Sequence, residues 1–287
     1  MRSLLPSYFF FFLIFPFSTI SFAQEAEIQL SGIIVDRITQ LPIPYSTVEV
    51  DQKGLGYATG DGGQFYLLIK QKGISLKDTL RFRALGYEEQ LMTIQQFIDN
   101  QFKRIALRPQ AILIEPVDFV IGDKKLVLGV ASNEHGGPAY SIPAGLQVAV
   151  FMANPNQLKG VIQSISYFIV KDRKYKAPFR VRLWAVDEDG RPGKDLLTEN
   201  IIIQAQTPDA WLTVDLEKYQ IPIPENGYFA GLETIYTKKK YQFKAVHDAP
   251  GHPKEIFVCQ GPVLATNFEE PVHLTWLGRL GKDWFMN

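Results

Sequence analysis

One cysteine among 287 residues leaves no intramolecular disulfide to form, so the fold must be held by packing. That residue, Cys259, ends the run Glu255, Ile256, Phe257, Val258, where a buried and inert thiol is expected. Net charge is missing too. Thirty basic and thirty acidic residues cancel, which gives no general reason to expect nucleic acid or an anionic lipid surface as partner. The one basic run, Lys238, Lys239 and Lys240, lies between Tyr236 and Tyr241 and reads as a hairpin tip, because three lysines carry little phosphate affinity. After the first two dozen residues no stretch approaches the roughly 20 apolar residues of a membrane-spanning helix. G-x-S-x-G, H-E-x-x-H and a glycine-rich phosphate loop are all absent, so serine, zinc-protease and phosphate chemistry have no foothold and no cofactor is expected.

What is present begins with a leader. Arg2 precedes the apolar stretch 9–17, and small residues at Ser21 and Ala23 suit cleavage before Gln24. Residues 1–23 are therefore expected to be a signal peptide, and the mature chain an exported one: periplasmic, outer-membrane-associated or secreted. Arg2 is the leader's one charge, so its loss leaves a single formal negative charge. No cysteine lies in the residues directly after the apolar stretch, which leaves none for lipid attachment at a new amino terminus.

From 28 to about 108 the chain breaks into short apolar or alternating runs punctuated by Gly, Pro and Asp, the rhythm of a β-sandwich. Strands are expected at 28–35, 46–50, 56–59, 64–69, 79–84, 90–94 and 105–107. The run Gly60, Asp61, Gly62, Gly63 would turn a hairpin between the third and fourth, and Leu85, Gly86, Tyr87 one between the fifth and sixth. Gly32, Val35 and Asp36, then Pro42, Ile43, Pro44, Ser46 and Val48, then Thr59, Asp61, Gly63 and Phe65, and finally Leu80, Gly86 and Tyr87 form an ordered series. This series resembles the carboxypeptidase regulatory-like domain, and the resemblance spans residues 24–110. It implies a seven-stranded, transthyretin-like sandwich, found beside zinc carboxypeptidases and at the amino terminus of many TonB-dependent receptors. It implies no active site. His252 and Glu255 show the H-x-x-E spacing of the first two zinc ligands in such carboxypeptidases, yet only His273 and a short tail follow, so no metal site is expected there.

Residues 111–125 read as a linker containing Glu115 and Pro116, with an extended piece at 117–121. Beyond them, from 126 to 287, longer strands are expected at 145–152, 160–170, 179–186, 200–204, 211–216, 228–235 and 255–259, with a turn-rich connection at 187–194. That number and length suit a jelly roll. Arg182, Leu183, Trp184, Asp189, Gly190, Pro192, Gly193, Asp195, Leu196 and Leu197, with Trp211, Val214, Asp215, Leu216, Phe229, Leu232 and Glu233, resemble a jelly-roll-like module that follows the regulatory-like domain in envelope proteins. The expected fold class is therefore all-β: a transthyretin-like sandwich followed by a jelly-roll-like sandwich.

Three constellations compete for function. In strand 179–186 the alternation puts Phe179, Val181, Leu183 and Ala185 on an apolar face and Arg180, Arg182 and Trp184 on the other. An indole beside two guanidinium groups is suited to stacking on a sugar and bonding its hydroxyls, or the face packs under a loop with its arginines paired to acids. Asp187 and Asp189 are weak calcium candidates in an acidic turn that lacks the further donors of a calcium loop. Glu233 lies in an apolar strand and reads as a paired structural carboxylate, since glycosidases need two. The reading that results is a non-enzymatic binding or scaffolding protein whose partner is an envelope protein or a glycan. Its alternative is carbohydrate binding by the second module, and a third reading is a hydrolase accessory or an unrecognised glycosidase.

Overall fold

A computed structural model describes residues 27–70, 73–101, 103–110, 125–129, 137–138, 145–171, 174–236, 239–247, 254–262, 264–266 and 275–286. The leader 1–23, the extended piece at 117–121, Lys238, His252 and His273 lie outside the described residues. The fold is all-β, as expected. No helix among the described residues is long and apolar enough to cross a membrane.

The first unit contains β1 (Ile28–Asp36), β2 (Thr47–Val50), β3 (Leu55–Ala58), β4 (Gln64–Ile69), β5 (Thr79–Arg83), β6 (Gln90–Thr93), α1 (Ile94–Asp99) and β7 (Arg104–Leu107). They form two sheets, in the orders β4-β1-β7 and β3-β2-β5-β6. Alternation explains the packing. Phe65, Leu67 and Ile69 of β4 point inward while Gln64 and Tyr66 point out, and the inward set meets Leu30, Ile34, Leu80 and Phe82 in one core. Each such fully buried side chain contributes about 1.5–3 kcal/mol.

Two expectations fail here. The third and fourth strands make no hairpin: β3 pairs with β2 and β4 pairs with β1, so the glycine-rich turn carries the chain from one sheet to the other. Gly63 is needed at that crossing because its φ is +67° and an added Cβ would lie 2.8 Å from the Ile34 carbonyl oxygen. The short helix α1 was not expected. Its sign was local: Thr93 accepts from the Gln96 N–H while the Gln96 side chain accepts from the Thr93 N–H, a capping box, and Ile94 and Phe97 enter the core.

The second unit contains β8 (Gly137–Pro138), β9 (Gln147–Met152), β10 (Ser164–Ile169), β11 (Phe179–Val186), β12 (Pro192–Asp195), β13 (Ile202–Ile203), β14 (Ala210–Asp215), β15 (Tyr228–Thr234), β16 (Gln242–His247), β17 (Glu255–Gln260), β18 (Ala265–Thr266), β19 (Thr275–Gly278) and β20 (Phe285–Met286). Its main sheet has the order β12-β11-β15-β9-β19-β20, with β13 also on β11, and β10-β14, β16-β17 and β18-β8 form three small sheets. One face of the main sheet buries Phe179, Val181, Leu183 and Leu232 against Ile165, Tyr167 and Ile169 of β10. The other face is covered as well: Ala149, Trp184 and Phe229 pack with Trp276 and Trp284. The carboxy-terminal 275–286, read from sequence as a short tail, extends this sheet as β19 and β20, and Trp284 between them packs edge-on against Trp184.

Candidate functional site

β11 is built as the alternation requires, but both of its faces are interior. Arg180 is 2% exposed and Trp184 is likewise 2% exposed. The indole packs edge-on against Trp284, ring centroids 5.2 Å apart, so it offers no open face for a sugar to stack on. The expectation that Arg180, Arg182 and Trp184 share one face is met. What covers that face is a set of acids, Trp284 and Tyr45 of the first unit rather than solvent.

The charges are assembled by register. Glu233 of β15 lies directly opposite Arg180, and Gly231 lies opposite Arg182. Gly231 has no room for a side chain, since an added Cβ would lie 1.8 Å from the Val148 carbonyl oxygen. The Glu233 carboxylate, 1% exposed, accepts through Oε2 from Arg182 Nη1 at 2.7 Å, Arg180 Nη1 at 3.2 Å and Gln147 Nε2 at 3.2 Å. Its pairing agrees with the reading as a structural carboxylate. Arg182 also pairs with Asp195 of β12 at 2.8 Å and lies 5.2 Å over the Trp184 ring. Burial pulls the Arg180 guanidinium below its ordinary value, and Glu233 pulls it back up. Burial pushes the Asp195 carboxyl up, and Arg182 opposes that.

A second cluster, not anticipated from sequence, faces the first. Glu49 of β2 is 3% exposed and lies opposite Arg81 of β5. Its Oε1 pairs with Arg83, with Arg81 Nε at 3.9 Å, and its Oε2 accepts the Gly281 N–H at 2.7 Å. Arg81 continues to Asp51 at 2.9 Å and Glu89 at 3.2 Å. The clusters join across the two units: Arg180 donates to the Tyr45 carbonyl oxygen, and Arg83 lies near enough to Asp195 to lower its carboxyl. The same junction holds the stacked rings of Tyr57 and Tyr236, 5.4 Å apart, and a bond from the Gly54 N–H to the Gly281 carbonyl oxygen at 2.6 Å. The sequence signal was there: Glu49 and the Arg81-Phe82-Arg83 alternation form outward polar faces, which read as solvated until a second unit covers them.

Asp187 and Asp189 occupy an exposed turn. Asp187 Oδ1 accepts the N–H groups of Asp189 at 3.0 Å and Arg191 at 2.7 Å, so the carboxylate closes its own turn. Among the described residues no three metal-ligating side chains converge. Cys259 is 1% exposed and burial pushes its thiol up, away from reactivity. No protein-family model matches the chain, and no curated protein matches it either.

Proposed function

We propose that this chain is a non-catalytic binding or scaffolding protein of the bacterial periplasm or outer surface, with an envelope protein as its partner. The observation that carries the reading is the β16–β17 ribbon. Val246, Ile256 and Val258 are 58%, 65% and 54% exposed, and Val246 faces Ile256 across the strands. Alternation turns the opposite face, with Phe243 and Cys259, toward the body of the protein. Three branched aliphatics together on an outer face, rimmed by exposed Lys244, have the character of a contact surface for protein rather than for sugar. The export reading of residues 1–23 and the regulatory-like resemblance of 24–110 support the compartment. The carbohydrate alternative loses its best ring, because Trp184 is enclosed.

The test places a photo-crosslinking residue at Val258 and, as control, at Tyr66, which is 50% exposed on the first unit. In the native envelope, Val258 should give one discrete adduct that Ile256→Lys abolishes, and Tyr66 should not give it. Equal labelling from both positions, or binding on a glycan array with no adduct, would overturn the reading.

A further inference from the structure

We propose that the loop between β1 and β2, residues 37–42, is a membrane-contacting tip that seats Ile38 and Leu41 in the interface of an anionic phospholipid bilayer. This adds a lipid contact to the protein contact proposed above and does not depend on it. All six residues are exposed, and Ile38 and Leu41, at 77% and 65%, are more open than any other large apolar side chain described in the first unit. An exposed aliphatic is ordinary by itself; what sets this pair apart is the backbone that carries it. The Asp36 N–H donates to the Leu41 carbonyl oxygen at 2.9 Å, which closes the loop, and the Arg37 N–H donates to Leu107 at 2.8 Å. Asp36 Oδ1 accepts the N–H groups of Ile38 at 2.6 Å and Thr39 at 2.8 Å, and its carbonyl oxygen accepts the Gln40 N–H at 2.9 Å. The Leu41 N–H makes a longer bond to the Thr39 hydroxyl at 3.4 Å, and Pro42 has no N–H to satisfy. Every backbone N–H of the loop is thus bonded within the protein.

Two carbonyl groups are covered as well: the Gln40 side chain donates to the Arg37 oxygen at 2.9 Å, and Arg104 Nη2 donates to the Gln40 oxygen at 3.0 Å. A loop bathed in water has no need of such closure, whereas one that enters a bilayer interface must satisfy its polar groups itself. The surrounding charge selects an anionic surface. Arg37 and Arg104 are exposed beside the two aliphatics and pair with no carboxylate among the described residues. Arg108, next to Leu107, meets Glu88 only at 3.8 Å, with both side chains at least half exposed. Asp36, the acid at the base of the loop, uses its carboxylate on the two N–H groups and on the Tyr87 hydroxyl at 2.9 Å. A stable protein interface takes about 800 Å² from each partner, which a six-residue tip alone does not offer. A bilayer interface accepts a narrow apolar tip, and its anionic headgroups attract the flanking cations.

The test sediments residues 24–287 with vesicles of phosphatidylcholine and phosphatidylglycerol in equal parts, and with phosphatidylcholine alone. Binding is expected on the anionic vesicles and should weaken with added salt. Arg37→Gln should lower it about fivefold, the effect of one cation near such a surface, and Ile38→Ser with Leu41→Ser at least about tenfold. These side chains are all exposed, so the variants should melt as the parent does. Insertion is read separately with an environment-sensitive dye on Ile38→Cys, which labels selectively because Cys259 is buried. Its emission should shift to the blue with anionic vesicles, while the same dye on Tyr66→Cys should not shift. The proposal is overturned if anionic vesicles bind no chain, if the double serine variant binds as well as the parent, or if the dye at the Ile38 site stays unshifted. A photo-crosslink from that site to an envelope protein, without vesicle binding, would make the loop a protein contact and overturn it too. Ile256→Lys should leave vesicle binding unchanged, and its loss in that variant would move the lipid contact to the ribbon.

Discussion

Two strands of this protein carry the same pattern, an arginine on either side of an apolar residue with a glutamate on the neighbouring strand, and they end in different surroundings. In Arg81-Phe82-Arg83 the side chains are 26% and 50% exposed at the arginines, and Glu49 uses both oxygens, one on guanidinium and one on the Gly281 N–H. In Arg180-Val181-Arg182 they are 3% and 10% exposed, and Glu233 concentrates its bonds on Oε2 while Oε1 makes none among the described residues. Pattern sets which groups meet; depth sets what the meeting is worth. A pair that water reaches is worth little, whereas a buried one is costly to form and costlier to break.

The largest effect should come from breaking the deep cluster. Glu233→Gln leaves two guanidinium groups buried beside a neutral amide, and a loss of about 3–5 kcal/mol is expected in chemical denaturation. The matching control replaces the cluster's four charges: Arg180→Met, Arg182→Met, Glu233→Leu and Asp195→Asn together should be neutral or stabilising, by up to about 4 kcal/mol. If Glu233→Gln costs under about 1 kcal/mol, water reaches the cluster and the contrast between the two sites disappears.

The junction between the clusters comes next. Gly281 has φ +70°, and an added Cβ would lie 2.7 Å from the Val50 carbonyl oxygen, so Gly281→Ala combines backbone strain with a steric clash. A loss of about 1–3 kcal/mol is expected, together with faster hydrogen exchange at the Gly54 amide, whose bond ends on Gly281. Faster exchange confined to the Gly54 region with an unchanged melt would mean that the clasp adds no stability to either unit.

The shallow cluster should respond less. Glu49→Gln keeps the shape and the bond to Gly281 but removes the charge that Arg83 faces, and since Arg83 is half exposed the expected loss is about 0.5–1.5 kcal/mol, reduced in molar salt. A loss as large as that of Glu233→Gln, or one indifferent to salt, would show that the second unit seals both clusters equally.

Sequence made the strands legible wherever alternation was regular. Residues 64–69 and 179–186 coincide with β4 and β11 to the residue because apolar side chains recur at every second position, whether the strand buries mainly one face, as β4 does, or both, as β11 does. β12 was hidden because Pro192 and Gly193 read as turn, yet an edge strand tolerates both. β19 and β20 were hidden because four and two residues are too few to show a period. The charged face of β11 was visible as a face, but its covers, Tyr45, Asp195 and Trp284, lie 13 to 135 residues away in sequence, at distances that no local pattern encodes. The hairpin assigned to the Gly60–Gly63 turn failed for a similar reason: tight-turn composition serves a crossing between sheets as well as it serves a hairpin.

The smallest and most finely resolved difference lies between two aspartates outside the glutamate pairs. Asp36 takes hydrogen bonds from the N–H groups of Ile38 at 2.6 Å and Thr39 at 2.8 Å and from the Tyr87 hydroxyl at 2.9 Å. The backbone bond from Thr39 is the largest cause of its lowered carboxyl pKa. Asp195 moves the other way, raised chiefly by burial. A lowered carboxyl adds stability that is fully present above its unfolded value, near pH 4, and is lost as pH falls through the folded value. A raised one is the reverse: its stability is present below the unfolded value and is lost as pH rises through the folded value. Carboxyl-carbon NMR should therefore find Asp195 titrating above Asp36, on opposite sides of the ordinary range. Asp36→Asn should flatten the loss of stability below about pH 4, and Asp195→Asn should leave that limb unchanged. If both carboxyls titrate together, the field of the arginines outweighs burial at Asp195, and the junction is wetter than its packing implies.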